Sequence, residues 1–137
     1  MDCVQPELSL LHRDATRDVI PWCQAHGTGV IIYSPLGSGL LAGTGDKATL
    51  EAMSSEDRRC HSADQILQLT ERLRMVAHRA GTGLSTLAIA WTLATDGVTG
   101  AICGARRPGH VQEWIAAADL VLDQAILAEI ESIVRAT

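Results

Sequence analysis

The chain has 137 residues, of which 47% are hydrophobic and 20% are charged, and its formal net charge is −5. This length allows one ordinary domain over residues 1–137, and the apolar content favours a globular protein over a disordered one. The acidic balance argues against a nucleic-acid partner. No apolar run approaches the roughly 20 residues that span a bilayer, and the N-terminus lacks the basic and apolar regions of a signal peptide. We therefore expect a soluble, cytoplasmic protein without a membrane partner.

The four cysteines, Cys3, Cys23, Cys60 and Cys103, are widely spaced and form no CxxC motif. This spacing is typical neither of a zinc site nor of a disulfide framework. Cys60 and His61 are the one adjacent pair of soft ligands, and nothing near them completes a tetrahedral set. We predict no metal site.

The first predicted elements are a short strand, a helix and a second strand. Residues 2–5 resemble the end of a strand that Pro6 stops. The apolar spacing predicts a helix over 14–26, in which Pro21 should produce a kink or a break. Residues 30–33 form a continuous apolar, β-branched run, which is typical of a parallel strand covered on both faces.

A glycine-rich turn over 34–45 and a polar segment over 46–61, with room for a short helix, come next. Ser62 and Gln65 then form a capping box for a helix that runs to about Ala80. A further helix is predicted over 84–95.

Glycines bound a third short strand over 100–104. Pro108 lies close to the favoured first position of the following helix. Asp123 is an N-cap candidate for the last helix, which carries an apolar stripe of Ile126, Leu127, Ile130, Ile133 and Val134. The order β-α-β-αα-β-αα implies right-handed parallel βαβ units and therefore an α/β fold.

Two loops that follow predicted strands contain the residues best suited to bind a ligand. In α/β proteins, ligands bind at the carboxyl edge of the sheet. Residues 34–39 are small, so their backbone N–H groups can approach an anion, and Arg106 and Arg107 offer guanidinium forks that suit a phosphate. The N-terminus of the helix at Pro108 favours the same anion. Either loop alone is more often a plain turn, but together they favour a phosphate site.

At these residues the chain resembles the aldo-keto reductase family. The segment VQPELSLLHRD (4–14) is similar to the family's sixth barrel strand, YSPLGSGLL (33–41) to the seventh strand and its cofactor loop, and LAIAWTLA (87–94) with GARRP (104–108) to the eighth strand and the preceding helix. The resemblance covers nearly the whole chain and is close to the bacterial branch that includes relatives of potassium-channel β-subunits. It implies about three of the eight βα units of a (β/α)₈ TIM barrel.

The resemblance implies an NADP(H) site. Gln5 matches the residue that hydrogen-bonds the nicotinamide carboxamide, and Tyr33 matches the aromatic position that stacks on the nicotinamide ring. Glu113 matches an acidic residue that helps to fix the adenine end. Four residues match the loop around the pyrophosphate: Ser34, Leu36, Ser38 and Gly39. Three fall in the loop that holds the adenosine 2′-phosphate and so favour NADP over NAD: Gly104, Arg106 and Arg107.

Two positions depart from the family. Trp114 stands where the family usually has an asparagine that pairs with adenine, and an indole can stack but cannot replace that pairing. His110 stands where glutamine or arginine is usual. The family's catalytic Asp, Tyr, Lys and His lie on its first four strands, whereas this chain begins at the sixth. We therefore expect no catalytic residues here, and Tyr33 matches a stacking position instead of the catalytic acid.

Three functions remain open. The first is a truncated aldo-keto reductase-like protein that keeps its NADP(H) loops without chemistry of its own. The second is a non-catalytic structural or interaction protein. The third is a reductase that is active only with a partner chain. Since strands cut from a barrel leave unpaired edges and an uncovered apolar face, we also expect a homo-oligomer that completes the sheet.

Overall fold

The computed structural model describes residues 2–42, 45–58, 61–105 and 107–136. This part of the chain contains three parallel strands: β1 (Cys3–Val4), β2 (Gly29–Tyr33) and β3 (Gly100–Ile102). Its six α-helices are α1 (Val19–Ala25), α2 (Lys47–Ala52), α3 (Ala63–Arg79), α4 (Leu84–Ala94), α5 (Pro108–Asp119) and α6 (Gln124–Arg135). Within these ranges, no helix combines the length and the apolar character needed to cross a membrane.

The sheet has the order β1-β2-β3, and both ladders are parallel. Cys3 pairs with Gly29 at one end, and Tyr33 pairs with Ile102 at the other. Helical segments connect consecutive strands, so all three strands point the same way and their carboxyl ends meet at one edge. The predicted α/β class with three parallel βα units is confirmed.

The hydrophobic core lies between the sheet and the helices. Val30 and Ile32 of β2 are fully buried on this side. Helix α4 is apolar around most of its circumference and packs against both α3 and α5, which explains why its residues from Thr86 to Thr92 are all buried. A helix without a polar face belongs in the interior of a fold. Ile130 of α6 completes this layer, since α6 packs against α3.

The opposite face of the sheet is open in the described part of the chain. Side chains alternate between the two faces of a strand. Ile31 and Tyr33 of β2 therefore point away from the helices, with Tyr33 45% exposed, and Ile102 of β3 beside it is 48% exposed. Cys3 of β1 is exposed as well. The sheet is thus covered on one face only.

Three predicted helix starts are confirmed. The Ser62 side chain accepts a hydrogen bond from the backbone N–H of Gln65, whose side chain accepts from the N–H of Ser62, and together they form the capping box at α3. Pro108 is the first residue of α5. The Asp123 side chain caps α6 through the N–H of Ile126.

The predicted helix over 14–26 is wrong in its first half. Residues Asp14–Thr16 form only a short 3-10 turn, and α1 begins at Val19, where the Asp18 side chain accepts a hydrogen bond from the backbone N–H of Val19 at 2.6 Å. Pro21 is consequently the third residue of α1 and does not kink it. In the first turn of a helix, a proline removes no intrahelical hydrogen bond.

Candidate functional site

An open cleft with a volume of about 1580 Å³ lies at the carboxyl ends of β2 and β3. Its walls come from the loop after β2, from the segment between β3 and α5, and from one face of α3. Because Tyr33 and Ile102 pair in register as the last residues of their strands, the two loops begin at the same level. The sheet therefore brings together the two loops that the sequence singled out.

The loop after β2 holds two serines in left-handed backbone conformations. Ser34 has φ 55° and Ser38 has φ 57°, values that are uncommon outside glycine. The Ser34 hydroxyl accepts a hydrogen bond from the backbone N–H of Ser38 at 3.1 Å, which ties the two positions together. Unfavourable conformations of this kind persist only where surrounding contacts enforce them, and they concentrate at ligand sites.

Four backbone amides of this loop are engaged within the loop itself. The N–H of Gly37 donates to the Ser34 carbonyl at 2.9 Å, and the N–H groups of Gly39 and Leu41 donate to the Leu36 carbonyl at 3.0 and 3.1 Å. The N–H of Ser38 donates to the Ser34 hydroxyl. The N–H groups of Gly37, Ser38 and Gly39 are thus used within the loop in this conformation, and the approach of residues 34–39 to an anion stays a prediction.

Gly37 anchors the loop on the segment that follows β1. It is buried, has φ 54°, and an added Cβ would lie 3.2 Å from Leu11 Cδ1 and 3.6 Å from Ser9 Oγ. Ser9 is fully buried, and its hydroxyl accepts hydrogen bonds from the N–H groups of Leu11 and His12. The floor of the loop is thus fixed by local packing.

The second loop places a cation at the start of α5. Arg107 is exposed and occupies the N-cap position, directly before Pro108. Its Nε and Nη2 atoms lie 3.3 and 3.1 Å from Nε2 of His110. A guanidinium and a helix N-terminus at one place both favour an anion.

Further along α5, Trp114 and Glu113 form the end of the cleft wall. Trp114 is half-buried against the core, and its ring centroid lies 5.3 Å from that of His110, with the planes tilted by 37°. Glu113 is exposed, and its backbone carbonyl accepts a hydrogen bond from Thr86 Oγ1 at 3.1 Å, which holds α5 against α4. This end of the cleft presents a flat aromatic surface beside a carboxylate.

Cys103 lines the cleft just after β3 and is half-buried. Burial raises the pKa of its thiol above the ordinary value of 9.0, because the apolar surroundings disfavour the thiolate. The thiol is therefore neutral at physiological pH and acts as a small apolar part of the wall.

The sequence-predicted site residues fall into three groups. Gln5 is exposed at the end of β1 but is not among the residues that line the cleft. Arg106 lies outside the described residues. The other eight line the cleft: Tyr33, Ser34, Leu36, Ser38, Gly39, Gly104, Arg107 and Glu113. Their roles toward a cofactor stay predictions.

One wall of the cleft was not predicted. The α3 residues Leu67, Thr70, Glu71 and Arg74 line it, and Arg74 Nη1 donates to Glu71 Oε2 at 2.6 Å. These residues are separated by three, one and three positions, so they share one face of the helix. The sequence does show this spacing. Nothing local indicates that this face turns toward the cleft, because that depends on how α3 packs on α4 and α6.

The prediction that there is no metal site rests in part on Cys60. This residue lies outside the described residues. Among residues 2–42, 45–58, 61–105 and 107–136, no group of three or more His, Cys, Asp or Glu side chains is arranged to hold a metal ion.

Comparison with known proteins identifies the relatives of this chain. The model of the aldo/keto reductase family matches residues 1–135. A probable voltage-gated potassium channel subunit beta of Arabidopsis thaliana is 29% identical, over 96% of this chain and 43% of its own length. The NADH-specific methylglyoxal reductase of Escherichia coli is 28% identical, over 91% and 39%. An uncharacterized oxidoreductase of Bacillus subtilis is 33% identical, over 94% and 39%.

Among solved structures, the glycerol dehydrogenase of Gluconobacter oxydans superimposes with a TM-score of 0.85 and 24% sequence identity. The match covers 98% of this chain and 42% of that one. The likeness shows that the three βα units adopt the fold of part of an aldo-keto reductase TIM barrel. The chain spans about two fifths of the length of the curated relatives described above.

Proposed function

This chain belongs to the aldo/keto reductase family, and from that membership we propose that it binds NADP(H) in the cleft between the loop after β2 and the start of α5. The observation that carries the proposal is the pairing of Tyr33 with Ile102, which brings both loops to one cleft. The cofactor, when bound, supplies hydride-transfer chemistry. The residues of this chain bind and orient it.

The side chains of the cleft fit the parts of a dinucleotide. Tyr33 presents a half-exposed ring at the end of β2, on which a nicotinamide can stack. Ser34 and Ser38 line the cleft, and their hydroxyls can hydrogen-bond a pyrophosphate that runs along the loop. The Arg107 guanidinium suits a phosphomonoester, and the Trp114 indole offers a stacking surface for adenine.

The preference for NADPH over NADH is part of the proposal. It is supported by Arg107 at the mouth of the cleft and by Arg106 beside it in the sequence. The Escherichia coli relative is named as NADH-specific, so family membership alone does not decide the coenzyme. The 2′-phosphate is the only difference between the two dinucleotides, which makes a direct comparison of their affinities informative.

We propose further that these 137 residues hold the cofactor without supplying the acid for carbonyl reduction. The described residues that line the cleft include Tyr33 and His110 but no lysine and no aspartate, whereas the family's catalytic set requires both. Carbonyl reduction would then depend on an acid outside these 137 residues.

The open face of the sheet favours the second candidate, an interaction protein. In the described residues, β1 and β3 each pair only with β2, so both edges of the sheet are free. Free edges are sites of strand pairing with other chains. A homo-oligomer formed through these edges is compatible with cofactor binding, because the cleft lies at the carboxyl ends of the strands.

Isothermal titration of NADPH and of NADH into the 137-residue chain tests the proposal. We expect NADPH to bind more tightly than NADH, and Arg107→Ala to weaken NADPH binding about ten- to hundredfold, because it removes hydrogen bonds to a charged group. Arg72→Ala is the matched control, since Arg72 is exposed on α3 and does not line the cleft. A folded chain that binds neither dinucleotide would refute the proposal and favour the interaction protein.

A further inference from the structure

Arg107 and His110 form a hydrogen-bonded pair within the first turn of α5. Both Nε and Nη2 of Arg107 approach the same ring atom, Nε2 of His110, at 3.3 and 3.1 Å. A guanidinium has no acceptor atom and can only donate. The Nε2 atom must therefore accept, which assigns to His110 a neutral ring with its proton on Nδ1. The half-buried ring is backed by Trp114.

The charged groups around this imidazole balance one another. Arg107 and Glu113 lie on the same helix, and the ion pair of Glu71 with Arg74 faces them from α3 across the cleft. Helix α4, which packs against α5, carries no titratable side chain, and the end of β3 contributes only the thiol of Cys103. The described charges sum to zero and Arg106, which lies outside the described residues, adds one cation, so a proton on the imidazole makes this part of the cleft more positive.

We infer that His110 makes the preference of this chain for NADPH over NADH depend on pH, because it takes up a proton when a 2′-phosphate binds beside Arg107. The inference rests on the proposed function. A glutamine or an arginine at this position would not change its charge near neutral pH. A histidine side chain changes its charge between about pH 5 and 8.

The direction of the pH effect on NADPH affinity follows from the hydrogen bond between Arg107 and His110. Protonation turns Nε2 of His110 into a donor, so the bond from Arg107 is lost and two cations face each other. A phosphomonoester placed between them accepts hydrogen bonds from both and compensates their charge. NADH carries an uncharged hydroxyl there. NADPH binding is therefore coupled to proton uptake, and its affinity relative to NADH rises as the pH falls.

Titration calorimetry at about pH 6 and pH 8, in buffers of different ionisation enthalpy, measures both affinity and proton uptake. His110→Gln keeps an amide oxygen that accepts from Arg107 but cannot take up a proton. His78→Gln is the matched control, since His78 is exposed on α3 away from the cleft lining. Titration of the 2′-phosphate in the free dinucleotide, whose second proton leaves near pH 6, is common to all variants.

We expect the ratio of NADPH to NADH affinity, relative to that of His110→Gln, to rise about fivefold from pH 8 to pH 6 in the wild type and in His78→Gln, since a charged hydrogen bond replaces a neutral one. The number of protons taken up on NADPH binding should be larger in the wild type and in His78→Gln than in His110→Gln. NADPH binding with the same pH profile in the wild type and His110→Gln would overturn this inference alone. Absence of binding by both dinucleotides at both pH values would overturn the proposed function with it.

Discussion

Tyr33 and Ile102 pair directly in the parallel ladder between β2 and β3, and each is the last residue of its strand. Their side chains lie on the open face of the sheet, 45% and 48% exposed. The register of this pair fixes where the next residues of both chain segments begin. It is the reason that the strained serine loop and the Arg107 loop share one cleft although about 70 residues separate them in sequence.

The rate at which the Cys103 thiol is alkylated tests its placement in the wall of the cleft. Only the thiolate reacts with iodoacetamide. Because burial raises the pKa of this thiol above 9.0, its thiolate fraction is reduced at every pH up to and beyond that value. We expect alkylation of Cys103 to be slow near pH 8 and to keep increasing past pH 9, as measured by mass spectrometry of the peptide.

Bound cofactor should also protect the Cys103 thiol from alkylation. Bound NADPH should slow alkylation of Cys103 and leave Cys3 unaffected, since Cys3 is exposed on β1 and does not line the cleft. Equal protection of both cysteines, or of neither at saturating NADPH, would contradict the placement of the site.

Gly97 connects α4 to β3 under tight constraints. Its φ is +86°, and an added Cβ would lie 2.7 Å from Gln24 Cγ and 2.8 Å from Ile20 Cγ2 of α1. Gly81 has a similar φ of +69° but open space around it. We expect Gly97→Ala to lower the free energy of unfolding by about 1–3 kcal/mol more than Gly81→Ala, because only the former meets neighbouring side chains, among them the buried Ile20. Urea unfolding of both variants measures the difference, and equal losses would contradict this packing.

The open sheet face predicts self-association. Analytical ultracentrifugation should give a mass above the 14.6 kDa of one chain at micromolar concentration. Ile102→Lys places a charge on the exposed face of an edge strand, where it opposes pairing. We expect this variant to shift the mass toward the monomer, whereas Val121→Lys, a change at an 87% exposed position beyond α5, should not. A wild-type monomer at about 100 μM would contradict this prediction.

Local signals in the sequence account for most of the elements. The capping box of Ser62 and Gln65 and the Asp123 cap are formed by residues three apart, so the sequence alone predicts α3 and α6 correctly. The start of α1 was mispredicted because the apolar spacing continues back to Ala15, which is buried in the 3-10 turn Asp14–Thr16. The structure uses Asp18, and the position of Pro21 in the first turn of α1 follows from that choice.

The sequence predicts only those parts of the cleft wall that directly follow a strand. The loops at Ser34 and Arg107 directly follow strands, and parallel strands bring their carboxyl ends to one edge. The contribution of Arg74 depends instead on the packing of α3 against other helices, which no local pattern encodes. The internal hydrogen bonds of the serine loop depend on φ values at Ser34 and Ser38 that are unusual for serine.

The central claim is that the two loops form one dinucleotide site, and NMR mapping of the ¹⁵N-labelled chain tests it most directly. On addition of NADPH, we expect the largest amide shift changes at Tyr33, Ser34 and Leu36, at Cys103 and Gly104, and at the start of α5. The shallow surface groove on α6 beside Glu131 and Ser132 should not respond. Shift changes in only one of the two loops, changes centred on α6, or none at saturating NADPH would contradict the account.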